Sequence, residues 1–124
     1  MIWTPRRATR QIRIGSVPVG GQTPIAVQSM TNTPTADIVR TVAQIERLTE
    51  AGCEIVRVAV PDQAAAEAIG TIKARVSIPV IADIHFDHRL AISAVEAGAD
   101  GLRINPGNIG SKQRVRAVAD CARH

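Results

Sequence analysis

The 124 residues carry 15 Lys and Arg against 11 Asp and Glu, and 45% of them are apolar, too many for a disordered chain. Aromatic residues make up 2%, leaving only Trp3 and Phe86 for stacking on bases, so the mild net charge of +4 suits an acidic small ligand better than nucleic acid. No apolar run reaches the ~18 residues of a membrane span, and two cysteines are too few for a disulfide scaffold and fit reduced thiols in a cytoplasmic protein.

Arg6-Arg7 is not followed by an apolar stretch, so no targeting signal is read there. RQIRIGSVPVGG at 10–21 alternates and carries turn residues, which predicts a short hairpin. PIAVQS at 24–29 predicts a first buried strand and MTNTPT at 30–35 a loop. From Asp37 onward Ile38, Val42, Ile45 and Leu48 recur at helical spacing, and Gly52 suits the position just past a helix end. EIVRVAV at 54–60 is a second strand, after which Pro61-Asp62 opens a helix with Ala65, Ala68, Ile69 and Ile72 on one face. PVIADI at 79–84 is a third strand, and Leu90, Ala91, Ala94 and Val95 mark a helix ended by Gly98. GLRIN at 101–105 is a fourth strand, PGNIGS a loop, and Ser111 an N-cap for a last helix carrying Val115 and Val118. Four βα units after a hairpin predict an α/β chain, with a parallel sheet and helices outside it.

EAGCEIVRV at 50–58 and EAGADGLRI at 96–104 repeat one pattern, 46 positions apart from Gly52 to Gly98. Two βα units of about 23 residues each have the pitch of a (β/α)₈ barrel; a doubly wound sheet has units of similar length and stays open. The repeat sets Arg57 and Arg103 at matching places on strands two and four. Side chains alternate faces with period two, so Ile55, Arg57 and Ala59 share a face, as do Ile81, Asp83 and His85, and Arg103 with Asn105. Each strand therefore carries its polar residue near its C-terminal end, where such barrels keep their active sites.

ADIHFDHR at 82–89 places titratable residues where a short apolar run would ordinarily meet a Gly- or Asn-rich turn. Asp83 could line a mouth or balance the two arginines, and His88 could be a solvated residue of the first helical turn. His85, Asp87 and His88 are metal-ligand types, but their spacing matches no zinc pattern. RINPGNIGSK at 103–112 combines a tight turn, the residues Asn108 and Gly110, a helix N-terminus after Ser111 and the charge of Lys112. That combination suits either a phosphate cradle or an ordinary capped loop.

Together VPVGGQTPIAVQSMTNT, AGCEIVRVAVP, ADIHFDHRLA and GADGLRINPGNIG, spanning Arg6 to Arg123, resemble the N-terminal barrel of bacterial 4-hydroxy-3-methylbut-2-enyl diphosphate synthases. The resemblance implies the first half of a TIM-type barrel and an oxidoreductase of the methylerythritol phosphate route to isoprenoids. Its barrel binds 2-C-methyl-D-erythritol 2,4-cyclodiphosphate. A further domain holds a [4Fe–4S] cluster on three Cys and a Glu, fed by flavodoxin or ferredoxin. In the homodimer one subunit's cluster domain closes over the other's barrel. At residue level it implies that Arg57 and Arg103 face the diphosphate, where bidentate guanidinium contacts suit the task. His85 becomes the catalytic candidate, donating to a phosphate or substrate oxygen. Asn105 and Asn108 belong to the phosphate-side loop, Gln28, Ser29, Thr31 and Asn32 to the first loop, and Asp83 orients the arginines.

Residues 1–124 then amount to a partial N-terminal barrel domain, without its second half or an iron–sulfur domain. Cys53 and Cys121 lie outside the cluster motif and cannot supply three thiolates, so cluster ligands are expected to be absent and the isolated chain inactive. Half a barrel is also expected to leave Ile55 and Ile81, on the inner faces, without cover. Two other functions stay open: a different barrel enzyme on a phosphorylated ligand, such as a dihydropteroate synthase, whose pterin and sulfonamide motifs are not seen, and a non-catalytic half-barrel that binds an anion.

Overall fold

The computed structural model describes residues 7–85, 87–105 and 110–123. An antiparallel hairpin of β1 (Ile12–Ile14) and β2 (Val17–Val19) precedes β3 (Gln28–Met30), α1 (Ile38–Glu50), β4 (Ile55–Val60) and α2 (Gln63–Arg75). Then follow β5 (Val80–Ile84), α3 (His88–Glu96), β6 (Gly101–Arg103) and a last helix, α4 (Lys112–Arg123). The second sheet runs β3-β4-β5-β6 with every pair parallel. Consecutive parallel neighbours, each followed by a helix, form the first half of a TIM-type barrel.

The outward residues of β4 and β5 — Val56, Val58, Val60, Val80, Ala82 and Ile84 — are all but inaccessible and pack against the apolar stripes of α1, α2 and α3. Ile45, Ile69 and Ile72 fill the helix side of that layer with no exposed surface. Among the described residues the core holds no aromatic side chain, and close Ala packing fills it: Ala65, Ala66, Ala91 and Ala94 let the helices approach the sheet.

The internal repeat is a structural one. Helix α1 ends with Gly52 at φ +104°, Gly52 N–H donating to Thr49 O at 3.0 Å and Cys53 N–H to Leu48 O at 3.0 Å. Helix α3 ends the same way, with Gly98 at φ +105°, Gly98 N–H on Val95 O at 3.0 Å and Ala99 N–H on Ala94 O at 3.0 Å. Both are paired 5→2 and 6→1 closures, which need a left-handed residue just past the helix. The acid two places on repeats as well. Val27 N–H donates to Glu54 Oε1 at 3.1 Å while Glu54 N–H donates to Val27 O at 2.8 Å. Likewise Val80 N–H donates to Asp100 Oδ2 at 2.8 Å and Asp100 N–H to Val80 O at 2.9 Å. Each acid thus clamps the start of the preceding strand.

Two expected strand bounds need correction. The first strand begins at Gln28 rather than residue 24 and includes Met30. Pro24 has no N–H to give, and the Val27 N–H is taken by the Glu54 carboxylate instead of a ladder carbonyl; Ile25 and Val27 stay 85% and 53% exposed. The fourth strand likewise ends at Arg103, short of residue 105.

Ile55 and Ile81, expected bare, are 1% and 7% exposed. The hairpin covers that end of the sheet. Its tip residue Gly15, at φ +57°, sits so close to β5 and β6 that an added Cβ would lie 2.8 Å from Pro79 Cγ and 3.2 Å from Asp100 Oδ1. Ile14 Cγ2 lies 3.7 Å from the place a Cβ would occupy on Gly101, the ladder partner of Ile81. Between hairpin and sheet a small apolar hollow of about 260 Å³ is lined by Ile14, Val19, Ile25 and Ile55 among others.

Candidate anion-binding mouth

Ladder partners share a face of a parallel sheet. One row runs Met30, Arg57, Ile81, Gly101, and the next runs Ala59, Asp83, Arg103. Met30, Arg57, Asp83 and Arg103 therefore all project from the concave face, opposite the helix layer. The row through Arg57 meets β6 at Gly101, two residues before Arg103. A stagger of two residues over two strands is the shear of a TIM barrel, about one residue per strand. The repeat-equivalent arginines consequently stand at the same height around the barrel wall.

Asp83 lies between them on β5, 4% exposed. Arg103 Nη1 donates to Asp83 Oδ1 at 3.3 Å, and Arg57 Nη2 stands 3.6 Å from Asp83 Oδ2. One carboxylate thus faces two guanidiniums, whose side chains are 30% and 48% exposed for Arg57 and Arg103. Arg57 Nε is buried and has no hydrogen-bond partner among the described residues. On its other flank Arg57 Nη2 is 3.8 Å from the Met30 sulfur.

The other predicted positions divide. His85, half-buried just past β5, lines a hollow of about 460 Å³ between the β4–α2 and β5–α3 loops, shared with Pro61, Asp62, Asp87 and Arg89. Asn105 follows Arg103 by two positions and is exposed; Asn108 lies outside the described residues. Gln28 is on the concave face but pairs with Ile55 and lines the apolar hollow under the hairpin, at the end away from the mouth. Ser29 pairs with Val56, which puts it on the helix side. Thr31 continues the ladder through its N–H to Arg57 O at 3.0 Å, and parity turns its buried side chain to the helices as well. Asn32 is committed to α1: its N–H donates to Gln44 Oε1 at 3.0 Å and its Oδ1 accepts from Gln44 Nε2 at 2.8 Å. The first loop is pinned by hydroxyls too, Thr41 donating to Pro34 O at 3.0 Å and Thr35 to Ala59 O.

The density of charge in ADIHFDHR resolves into three tasks. Asp83 holds the arginines, His85 lines the hollow between the β4–α2 and β5–α3 loops, and Asp87 caps α3, accepting from Arg89 N–H at 2.9 Å. The Arg89 side chain returns to the same carboxylate through Nη2–Oδ2 at 2.9 Å and Nε–Oδ1 at 3.2 Å. The side-chain bonds first and the backbone bond second hold the Asp87 carboxyl below the usual carboxylate range, with His88 a minor contributor, while the side-chain bond and the charge of that carboxylate push Arg89 up. Among the described residues no three His, Cys, Asp or Glu side chains are grouped to hold a metal ion. The cysteines do not fit an iron–sulfur cluster: Cys53 is buried with its thiol on Ile55 O at 3.0 Å, at the strand end away from the mouth, and Cys121 lies on α4.

Met30 was not singled out in the sequence. Parity was the available signal: counting on from Gln28 puts Met30 on the same face.

A family model described as the GcpE TIM-barrel domain matches residues 9–124. The chain is 64% identical over 119 residues to a 4-hydroxy-3-methylbut-2-en-1-yl diphosphate synthase (flavodoxin) of Acinetobacter baumannii, covering 96% of this chain and 32% of that protein. It is 64% identical over 118 residues to the protein of the same name from Pseudomonas putida, covering 95% and 32%. The chain thus spans about a third of the length of these curated relatives. Among solved structures, a dihydropteroate synthase from Xanthomonas albilineans superposes with a TM-score of 0.62 at 17% identity, over 90% of this chain and 46% of that one. A thiamine phosphate pyrophosphorylase from Pyrococcus furiosus gives 0.51 at 18%, over 79% and 57%. At such identities both share the fold alone. With a family model matched over nearly its whole length, the chain belongs to the GcpE TIM-barrel domain family.

Proposed function

We propose that the concave mouth binds the diphosphate of 2-C-methyl-D-erythritol 2,4-cyclodiphosphate, and that the chain is the substrate-binding barrel of a 4-hydroxy-3-methylbut-2-enyl diphosphate synthase acting in the cytoplasm. The observation that carries the proposal is the charge arrangement: two guanidiniums at one height share a single buried carboxylate. Asp83 orients both and neutralises one, so a net positive charge faces the mouth. The names of the relatives agree with this assignment.

In this scheme Arg57 and Arg103 take phosphate oxygens through planar, paired donors. Asn105 adds an amide beyond Arg103. His85, at the rim, supplies the hydrogen-bond donor or proton for an oxygen of the substrate as the ring opens. Ring opening with loss of water is reductive, and the electrons come from outside these residues; the relatives' names point to flavodoxin as their source. The two cysteines of this chain take no part.

Titration calorimetry of the chain with the cyclic diphosphate and, separately, with inorganic pyrophosphate tests the proposal. Preferential binding of the cyclic diphosphate is expected. Equal affinity for both would favour a non-catalytic anion binder, and binding of neither would end the proposal.

A further inference from the structure

Arg57 has a different neighbour on each side. On β5 it meets the carboxylate of Asp83, and on β3 it meets the thioether of Met30, 3.8 Å from its Nη2. The two neighbours are barrel equivalents. The ladder row through Met30 and Arg57 reaches β5 at Ile81, two residues before Asp83, the same two-residue stagger that relates Arg57 to Arg103. Met30 thus occupies on β3 the place that Asp83 occupies on β5. A second carboxylate there would cancel the remaining positive charge, whereas sulfur is a weak neutral acceptor and a soft surface for a guanidinium. Met30 is 39% exposed, in contact with the mouth rather than consumed by the core.

We infer that Met30 is a positioning residue for the anion site: its thioether holds the Arg57 guanidinium in place without neutralising it. The inference rests on the anion-binding mouth proposed above. It also explains the placement of an exposed methionine among charged side chains.

The test is pyrophosphate binding, measured by calorimetry on the full chain carrying Met30→Leu, Met30→Glu, Arg57→Leu, and Met30→Leu with Arg57→Leu. Leucine keeps the volume and removes the acceptor. Met30→Leu should weaken binding by about two- to fivefold, the scale of one weak hydrogen bond, with the melting temperature unchanged. Met30→Glu, which adds the missing negative charge, should lose at least about tenfold, as one charged contact implies. In the Arg57→Leu background Met30→Leu should have no further effect, because a residue that acts through Arg57 has nothing left to position. Should Met30→Leu lower the melting temperature, Met30→Glu and the double variant decide. Wild-type affinity in Met30→Leu or Met30→Glu, or equal losses from Met30→Leu in both backgrounds, would overturn the inference while leaving the mouth intact. Wild-type affinity in Arg57→Leu, or binding of neither pyrophosphate nor the cyclic diphosphate by the wild type, would overturn the mouth itself and the inference with it; where the wild type binds the cyclic diphosphate alone, the same variants are compared with that ligand.

Discussion

Arg57 and Arg103, 46 positions apart in sequence, converge on the carboxylate of Asp83 from the strands on either side of it. Removing that carboxylate leaves two adjacent positive charges. Asp83→Asn should destabilise the fold by about 1.5–3 kcal/mol, toward the lower figure because Arg103 is half exposed. Added sulfate should restore more stability to the variant than to the wild type, since an anion can replace the lost charge. Equal urea midpoints for the two proteins, with and without sulfate, would mean the triad contributes nothing.

Arg103→Leu should weaken binding of the cyclic diphosphate by about 1.5–3 kcal/mol, the range for hydrogen bonds to a charged group. Arg103→Lys should recover only part, because an ammonium cannot present the planar fork. Calorimetry checks both, and unchanged affinity in the leucine variant would assign Arg103 a purely structural role.

Much of this arrangement was legible beforehand. Period-two alternation put Arg57, Asp83 and Arg103 on inner faces, and the Glu-Ala-Gly repeat set the arginines at one height. That works because the central strands β4 and β5 bury every outward residue, so parity is strongly enforced there. The first strand was harder. PIAVQS looks continuous, but Pro24 and the Glu54 clamp on Val27 delay the ladder to Gln28. With the strand start displaced, hydroxyls and amides of the first loop looked like ligand groups, whereas Thr35, Thr41 and Asn32 are spent on anchoring that loop. Nor does the sequence announce that a hairpin 40 or more positions before Ile55 and Ile81 in part of its span will fold back over them: that is a long-range docking event signalled only by Gly15 at its tip.

Gly15 supplies a test of that docking. An alanine there would need φ +57° and would put its Cβ 2.8 Å from Pro79 Cγ, closer than carbon atoms pack. Gly15→Ala should cost about 1–3 kcal/mol, as strain and overpacking together. Gly52→Ala, at φ +104° with nothing within 4 Å of the added carbon, carries backbone strain without a clash, and at an angle less tolerant of a side chain than that of Gly15. Denaturant unfolding should show the larger loss at Gly15. Equal losses would mean the hairpin tip gives way freely.

Acid stability should depend on Asp87. Its carboxyl is held below the ordinary value of 3.8, chiefly by the Arg89 side chain. The unfolded chain therefore binds the proton more readily, so this contribution is full above about pH 5 and fades as pH falls through the ordinary value toward the lowered one. Asp87→Asn keeps a good N-cap and removes only the charge. Urea midpoints of the two proteins should differ near neutrality and converge at low pH. A constant gap across the titration would show that the Arg89 pair does not contribute.

The last expectation concerns the 124-residue polypeptide in isolation. Strand β3 lies at one edge of the sheet and has β4 as its only ladder partner among the described residues. Beside that edge Ile25, Val27 and Met30 are 85%, 53% and 39% exposed. The edge strand Gln28–Met30 carries no charged side chain of its own, so it offers backbone donors and acceptors to another chain. A chain of this length has little stability in reserve against such pairing. The polypeptide should therefore self-associate in a concentration-dependent way over about 5–100 μM, the micromolar range where exposed edges drive association. Val27→Lys should shift it toward monomer by placing a charge beside the edge, without touching the arginine mouth at the other end of the strands. Size-exclusion chromatography with light scattering measures both proteins. A wild-type monomer across the whole range, unfolding in one cooperative step, would show that the hairpin already protects the edge as well as the floor of the sheet.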